Sequence, residues 1–188
     1  MKRITADMVL AWGPCKDYTE EYIRALAGQD GLTVPEVLSL DIPPAHRLWV
    51  MLRDSVLPKE LLQIAALSFA RHVEHLDSSG VATRCNDTTE QYLAGTITEE
   101  ELQSAAAAAA NAYAYADAST RYAYASARYA AAHTATNAAD AAAASARYAA
   151  ASAANAYAAS AADAAADAER KWQITELTRL INAKEIVL

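Results

Sequence analysis

The sequence predicts an all-α protein in which an N-terminal cluster of short helices packs with a bundle of long alanine-rich helices. Two observations carry this prediction. Residues 96–188 contain neither Gly nor Pro and are dominated by alanine, the residue with the highest helix propensity. Residues 1–95 repeatedly place a capping side chain three positions before Glu. No segment alternates polar and apolar residues between hairpin turns, so strands are not expected.

The first 95 residues contain start and stop signals for six helices. Side-chain acceptors stand three positions before glutamate, and proline and glycine stand where first turns begin and helices end. The capping pairs are Asp17 with Glu20, Thr33 with Glu36, and Asp87 with Glu90. These signals predict helices near 5–11, 17–27, 34–40, 44–55, 58–76 and 87–94. Apolar stripes, such as Leu48, Trp49 and Leu52, predict a small conventional core.

The alanine-rich half must fold back on itself. One helix over residues 96–188 would be about 140 Å long at the standard rise per residue. Ser, Thr and Asn compete for backbone hydrogen bonds, so we expect breaks at 119–120 and 133–137 and helices near 97–118, 120–133 and 137–183. The last helix carries a stripe of large apolar residues that should return to the N-terminal core: Trp172, Ile174, Leu177, Leu180 and Ile181. Regions 1–95 and 96–188 should therefore form one continuous structural unit.

Within the alanine tract that precedes the apolar stripe of the last helix, tyrosines and arginines are the most frequent large side chains, and their spacing places them in stripes. Tyr115, Tyr122 and Tyr129 are seven residues apart, a repeat that drifts by only about 20° per step on a helix. Arg121 and Arg128 form a neighbouring stripe, and the pair recurs as Arg147 and Tyr148. These residues either fill the bundle interior or line a groove that holds a nucleotide or a protein segment.

Charge and composition argue against several classes of function. The net charge is −7, and residues 1–103 carry 16 acidic and 9 basic side chains. No basic run is present, which argues against a nucleic-acid partner, and no long stretch lacks polar groups, which argues against a membrane span. The acidic half, including Glu99, Glu100 and Glu101, suits a basic partner protein. Without a secretory signal, and with only two cysteines, a cytoplasmic location is expected.

Catalytic, metal and cofactor signatures are weak in this sequence. His72 and His75 could share a helix face, but no third ligand stands at a recognisable spacing, so we expect no metal site. Cys15 precedes a capped helix without an indicated His or Asn partner, which predicts a structural thiol. No phosphate loop or nucleophile elbow is present. We therefore expect a protein without catalytic residues and without a cofactor.

Five segments together resemble the alanine-rich Imm-5-like immunity proteins of bacteria and bacteriophages. They are LAWGPCKDYTEEYI at 10–23, LDIPPAHRLWVMLRDSVLP at 40–58, YLAGTITEEELQSA at 92–105, the alanine tract, and AERKWQITELTRLI at 168–181. The resemblance covers nearly the whole chain. It implies neutralisation of a toxin by binding and implies no catalytic residues. Tyrosine stands here where tryptophan is common in the family's tract.

Two functional hypotheses follow from these observations. In the first, the protein is a non-catalytic, immunity-like inhibitor that binds a toxin or defence effector directly. In the second, it is a bacteriophage anti-defence protein that sequesters a small signalling nucleotide between its alanine-rich helices, with Tyr122, Arg128, Tyr129, Arg147 and Tyr148 as contacts. An alanine-rich helix face that remains exposed could also pair two copies of the chain into a homo-oligomer.

Overall fold

The computed structural model describes residues 3–113, 118–134, 137–155 and 159–185, which form ten α-helices and one short 3-10 turn. These ranges contain no strand. The only strand-like pairing within them joins Ile4 and Leu32, whose backbones exchange two hydrogen bonds of 2.7 and 3.0 Å. The prediction of an all-α fold is confirmed.

Four short helices form an N-terminal layer. They are α1 (Ala6–Ala11), α2 (Glu20–Ala27), α3 (Val34–Ser39) and α4 (Pro44–Met51). The predicted capping box between Thr33 and Glu36 is present, because the Glu36 carboxylate accepts the Thr33 backbone N–H at 2.6 Å. Helix α2 begins later than predicted, since Thr19 rather than Asp17 is its N-cap. Helix α4 ends earlier than predicted, because the chain leaves the helical conformation at Leu52.

Helix α5 (Lys59–Val73) is followed by a 3-10 turn (Glu74–Leu76) and by helix α6 (Val81–Leu93). Helix α6 begins well before the predicted start at residue 87. The Asp77 carboxylate accepts the backbone N–H of Ala82 at 2.8 Å and caps this earlier start. The two acids that predicted a later cap, Asp87 and Glu90, instead lie within α6 and form ion pairs of 2.7 and 2.6 Å with Arg71.

The alanine-rich half forms four helices: α7 (Glu99–Tyr113), α8 (Ala118–Thr134), α9 (Ala138–Asn155) and α10 (Ala159–Glu185). The predicted break at 133–137 is present, and the Asn137 side chain caps α9 by accepting the Asp140 N–H at 3.1 Å. The break predicted at 119–120 is displaced, since both residues lie inside α8, which begins at Ala118, and the preceding helix α7 ends at Tyr113. The single helix predicted over 137–183 is wrong. Its parts α9 and α10 pack side by side, and the Gln173 side chain donates to the Ala146 carbonyl at 2.9 Å.

One hydrophobic core spans both halves of the chain. Met51, Leu62 and Phe69 from the first half are fully buried in it, together with Leu177 from α10 and a run of alanines from α9. The predicted stripe on the last helix returns to this core, with Trp172 packed against its side. A smaller cluster joins α6, α7 and α8 around Cys85 and Leu102. The N-terminal helices and the alanine-rich helices thus share a core.

Helices α8 and α9 make the most extensive contact between described helices, and small side chains form it. Ser126 and Ser145 are fully buried there, with their hydroxyl oxygens 3.0 Å apart. The Ser145 hydroxyl also lies 2.8 Å from the Ala66 carbonyl of α5. Side chains of this size allow helix backbones to approach closely. Larger side chains of both helices are therefore displaced to the margins of the contact.

Candidate functional site

Three tyrosines of α8 and α9, Tyr122, Tyr129 and Tyr148, form a continuous row of stacked rings with His133. The Tyr148 ring of α9 stacks on Tyr129 of α8 with centroids 5.0 Å apart and on Tyr122 with centroids 6.2 Å apart. Because Tyr122 and Tyr129 are separated by about 10 Å along α8, Tyr148 lies between them. Tyr129 also stacks on His133, one turn further along, with centroids 5.5 Å apart.

Two guanidinium groups flank this row. The Arg128 carbon Cζ lies 4.5 Å from the centre of the Tyr129 ring, and the Arg147 Cζ lies 5.3 Å from the centre of the Tyr148 ring. Neither arginine pairs with a carboxylate in the part of the chain that the structure describes. We call the set the aromatic–arginine surface, and its members are Tyr122, Arg128, Tyr129, His133, Arg147 and Tyr148.

The phenol groups of Tyr129 and Tyr148 are electrostatically different. The pKa of Tyr129 is lowered, chiefly by the neighbouring Tyr148 hydroxyl and then by the positive charges of Arg128 and Arg147. The pKa of Tyr148 is raised, first by burial and then by the neighbouring Tyr129 phenol. The surface therefore combines two phenols of different acidity with cationic groups.

Most of the predicted Tyr and Arg contacts are brought together. The structure joins Tyr122, Arg128, Tyr129, Arg147 and Tyr148 on one surface. Tyr115 lies outside the described residues. Arg121 lies in α8, but its side chain is likewise outside the described part.

The sequence predicted that these side chains either fill the bundle interior or line a groove, and neither description fits all of them. The described tyrosines and Arg128 are half-buried, and Arg147 is exposed. The interior of the α8–α9 contact is filled instead by alanine and serine, including Ser126 and Ser145. The described tyrosines therefore lie at the margin of this contact, where each ring can be stacked on one side and reach solvent on the other.

The predicted acidic partner surface is the exposed first turn of α7. Glu101 accepts the Thr98 N–H at 2.8 Å, and the Thr98 hydroxyl accepts the Glu101 N–H at 3.3 Å, which completes a capping box. The pKa of Glu100 is lowered by its own backbone N–H and by the Thr98 hydroxyl. Two of the three carboxylates, those of Glu100 and Glu101, thus help to start the helix. Glu99 is exposed and has no such bond within the described residues.

His133 is the member of the surface that the sequence analysis did not select. Its position at the predicted helix break obscured it, although its spacing of four residues from Tyr129 was a usable signal for a shared helix face. Because α8 continues to Thr134, the imidazole extends the row of rings by one member.

A second polar cluster, between α5 and α10, was also missed. Glu169 is 5% exposed, and its carboxylate lies 2.7 Å from His72 Nδ1 while accepting the Gln173 amide N–H at 3.0 Å. The His72 ring stacks on Trp172 with centroids 3.5 Å apart. This cluster borders an alanine-lined cleft of about 630 Å³. His75, the second histidine considered for a metal, contacts the His72 carbonyl instead.

The described residues contain neither a metal-binding cluster nor a helix that could span a membrane. These residues contain no group of three or more His, Cys, Asp or Glu side chains that could hold a metal ion. None of their helices combines the length and the apolar character that crossing a membrane requires. No family model, curated protein or solved structure matches the chain.

Proposed function

We propose that this chain is a non-catalytic binding protein that neutralises a toxin or defence effector by direct contact through the aromatic–arginine surface. One observation carries the proposal. Four rings are stacked into a row across α8 and α9, and two guanidinium groups that have no carboxylate partner among the described residues stand beside it. The resemblance of five segments to immunity proteins supports the same kind of activity.

The composition of this surface is typical of residues that dominate binding energy in protein interfaces. Tyrosine and arginine are enriched among such hot spots, where they contribute large contact area and directed hydrogen bonds. The stacking restricts the side chains of Tyr129 and Tyr148 before any partner arrives. Less conformational entropy is then lost on binding, which favours affinity.

The charge of the surface indicates the kind of partner. A guanidinium binds carboxylates in a planar, two-pronged geometry, so Arg128 and Arg147 favour an acidic or carboxylate-bearing patch on the effector. The acidic first turn of α7, with Glu99 most available, would serve a separate basic patch. The aromatic–arginine surface is the better candidate for the main contact because its charges are not used in capping a helix.

The test is a neutralisation assay in bacteria. Toxin domains from a panel are each expressed from an inducible promoter with or without this chain, and growth is measured. The proposal expects rescue from at least one toxin and a stable complex on size-exclusion chromatography. The double variant Arg128→Ser/Arg147→Ser should lose rescue, whereas the matched variant Arg170→Ser/Arg179→Ser, on α10, should retain it. Equal rescue by both folded variants, or no rescue from any toxin, would contradict the proposal.

A second candidate, supported by the same stacked rings, is sequestration of a small signalling nucleotide. Bases stack on aromatic rings and phosphates bind guanidinium groups. Inner rings of the row already contact each other, so a base would stack on an end of the row, at Tyr122 or His133. Cyclic and linear di- and trinucleotides would be tested by thermal shift. A ligand at about 100 times its Kd adds roughly 2.7 kcal/mol of stability, and the absence of any shift would exclude this candidate.

A further inference from the structure

The N-terminal layer contains a partly open apolar cavity of about 390 Å³, and the described residues that line it all precede α5 in the chain. Its wall is formed by residues from α1, α2, α3 and α4 and from the loops between them. Ile23, Ala27 and Val37 are buried members of this wall, and the Trp49 ring lines it on α4. A cavity of this size lies within the range of small-molecule binding sites.

A single polar pair interrupts the apolar wall. The Tyr18 hydroxyl lies 2.7 Å from His46 Nδ1, and the two rings meet edge to face with centroids 5.0 Å apart. The pKa of Tyr18 is raised, chiefly by burial and then by nearby Tyr22, Cys15 and Asp17, so the phenol stays protonated. Whichever atom donates within the pair, its other polar sites can bind one hydroxyl or carbonyl group.

The charge of the wall restricts the ligand further. None of the described residues that line the cavity is Lys, Arg, Asp or Glu. An ionised ligand would therefore lose its hydration without gaining a permanent opposite charge, which is costly in an apolar site. The volume corresponds to about a dozen water-sized groups, which limits the ligand to a similar number of non-hydrogen atoms.

We propose that this cavity is a binding site for a neutral, mainly apolar small molecule that carries one hydroxyl or carbonyl group. The hydrocarbon part contacts the wall that includes Ile23, Val37 and Trp49, and the polar group bonds to the Tyr18–His46 pair. Cys15 lines the cavity and is exposed, so it stands where the site meets solvent. The site is independent of the aromatic–arginine surface.

Three matched probes of similar size test the ligand class by isothermal titration calorimetry on the full chain. They are 1-naphthol, naphthalene and 1-naphthoate. The proposal expects saturable binding of one 1-naphthol per chain, binding of naphthalene that is weaker by about tenfold for the lost hydrogen bond, and little binding of 1-naphthoate. Equal binding of all three probes, or no saturable binding of 1-naphthol, would overturn the proposal.

Two variants and a control locate the site. Tyr18→Phe should weaken 1-naphthol binding by about tenfold and leave naphthalene binding unchanged. Ala27→Leu, which adds a larger side chain to the cavity wall, should weaken the binding of both. Tyr22→Phe is the control, because the Tyr22 ring lies beside Tyr18, with centroids 5.7 Å apart, but does not line the cavity. Undiminished binding by a folded Ala27→Leu protein would overturn the proposal.

Cysteine alkylation of the wild-type protein gives a second readout that needs no variant. Cys15 is exposed, whereas burial of the Cys85 thiol raises its pKa to about 12, so iodoacetamide should modify Cys15 first. Saturating 1-naphthol should slow Cys15 alkylation several-fold, and 1-naphthoate should not. An alkylation rate that 1-naphthol leaves unchanged would place its binding elsewhere and overturn the proposal.

Discussion

Ser126 and Ser145 meet across α8 and α9 with their hydroxyl oxygens 3.0 Å apart, and both side chains are fully buried. Their contact shows how the alanine-rich half is organised. Small side chains occupy the interior, where the Ser126 hydroxyl donates to Ser145 and the Ser145 hydroxyl donates to the Ala66 carbonyl. The large polar residues of the surface lie at the margin. The aromatic–arginine surface is therefore a consequence of the close packing beneath it.

The first prediction concerns the ionisation of the two paired phenols. In an absorbance titration at 295 nm, assigned with Tyr129→Phe and Tyr148→Phe, Tyr129 should ionise at a lower pH than Tyr148. Arg128→Gln should raise the Tyr129 pKa toward its ordinary value, because it removes a positive charge beside the phenolate. The control is Arg170→Gln, outside the surface. Identical titration of both phenols in the wild type would contradict the electrostatic difference between them.

The second prediction concerns the buried carboxylate of Glu169. Glu169→Ala removes the partner of His72 and one of the two acceptors of the Gln173 amide. His72→Ala leaves the carboxylate buried beside only an amide, so each variant should lower the free energy of unfolding by about 2 kcal/mol. In urea denaturation the double variant should cost less than the sum of the singles by about 1 kcal/mol. His75→Ala, at an exposed position, is the control. Strict additivity would mean that the pair is not coupled.

The third prediction concerns the acid stability that Glu176 provides. Its carboxylate accepts bonds of 2.7 Å from Arg179 and 2.8 Å from the Ser68 hydroxyl, and these bonds lower its pKa in the folded state. A lowered folded pKa contributes stability that is present above the unfolded pKa and lost as the pH falls through the folded pKa. Glu176→Gln should therefore cost about 1 kcal/mol at pH 7 and less with increasing acidity.

The matched control for this prediction is Asp30→Asn, at an exposed loop position. Its stability, measured by urea denaturation between pH 3 and 7, should follow that of the wild type. If Glu176→Gln lost the same stability at every pH, the contribution of Glu176 would not depend on its charge.

The sequence was sufficient to predict the helical class and the elements with strong local signals. The Thr33–Glu36 capping box and the Asn137 cap of α9 are local features, so they could be identified without tertiary information. The start of α6 could not, because Asp77 reaches the Ala82 N–H across an intervening turn. Asp87 and Glu90 have the spacing of a helix cap, but both form ion pairs with Arg71 of α5 instead.

The sequence predicted which residues belong to the candidate site better than it predicted how deeply they are buried. Heptad spacing and the repeated Arg–Tyr pair were enough to select Tyr122, Tyr129 and Tyr148. Their half-buried environment depends on how α8 and α9 are rotated, and alanines on almost every face carry little hydrophobic asymmetry to fix that rotation. The pairing of His72 with Glu169 joins residues far apart in the sequence, so no local pattern could reveal it.

The most direct test of this account compares Ser145→Val with Ala143→Val on α9. Ser145 is fully buried against α8 and α5, whereas Ala143 is exposed two residues earlier on the same helix. Both variants share the helix-propensity cost of valine. In urea denaturation, Ser145→Val should lower the free energy of unfolding by about 1–3 kcal/mol more than Ala143→Val does. It should also return the Tyr129 pKa toward its ordinary value. Equal stability of the two variants, with Tyr129 unaffected in both, would contradict the claim that close packing of small residues positions the aromatic–arginine surface.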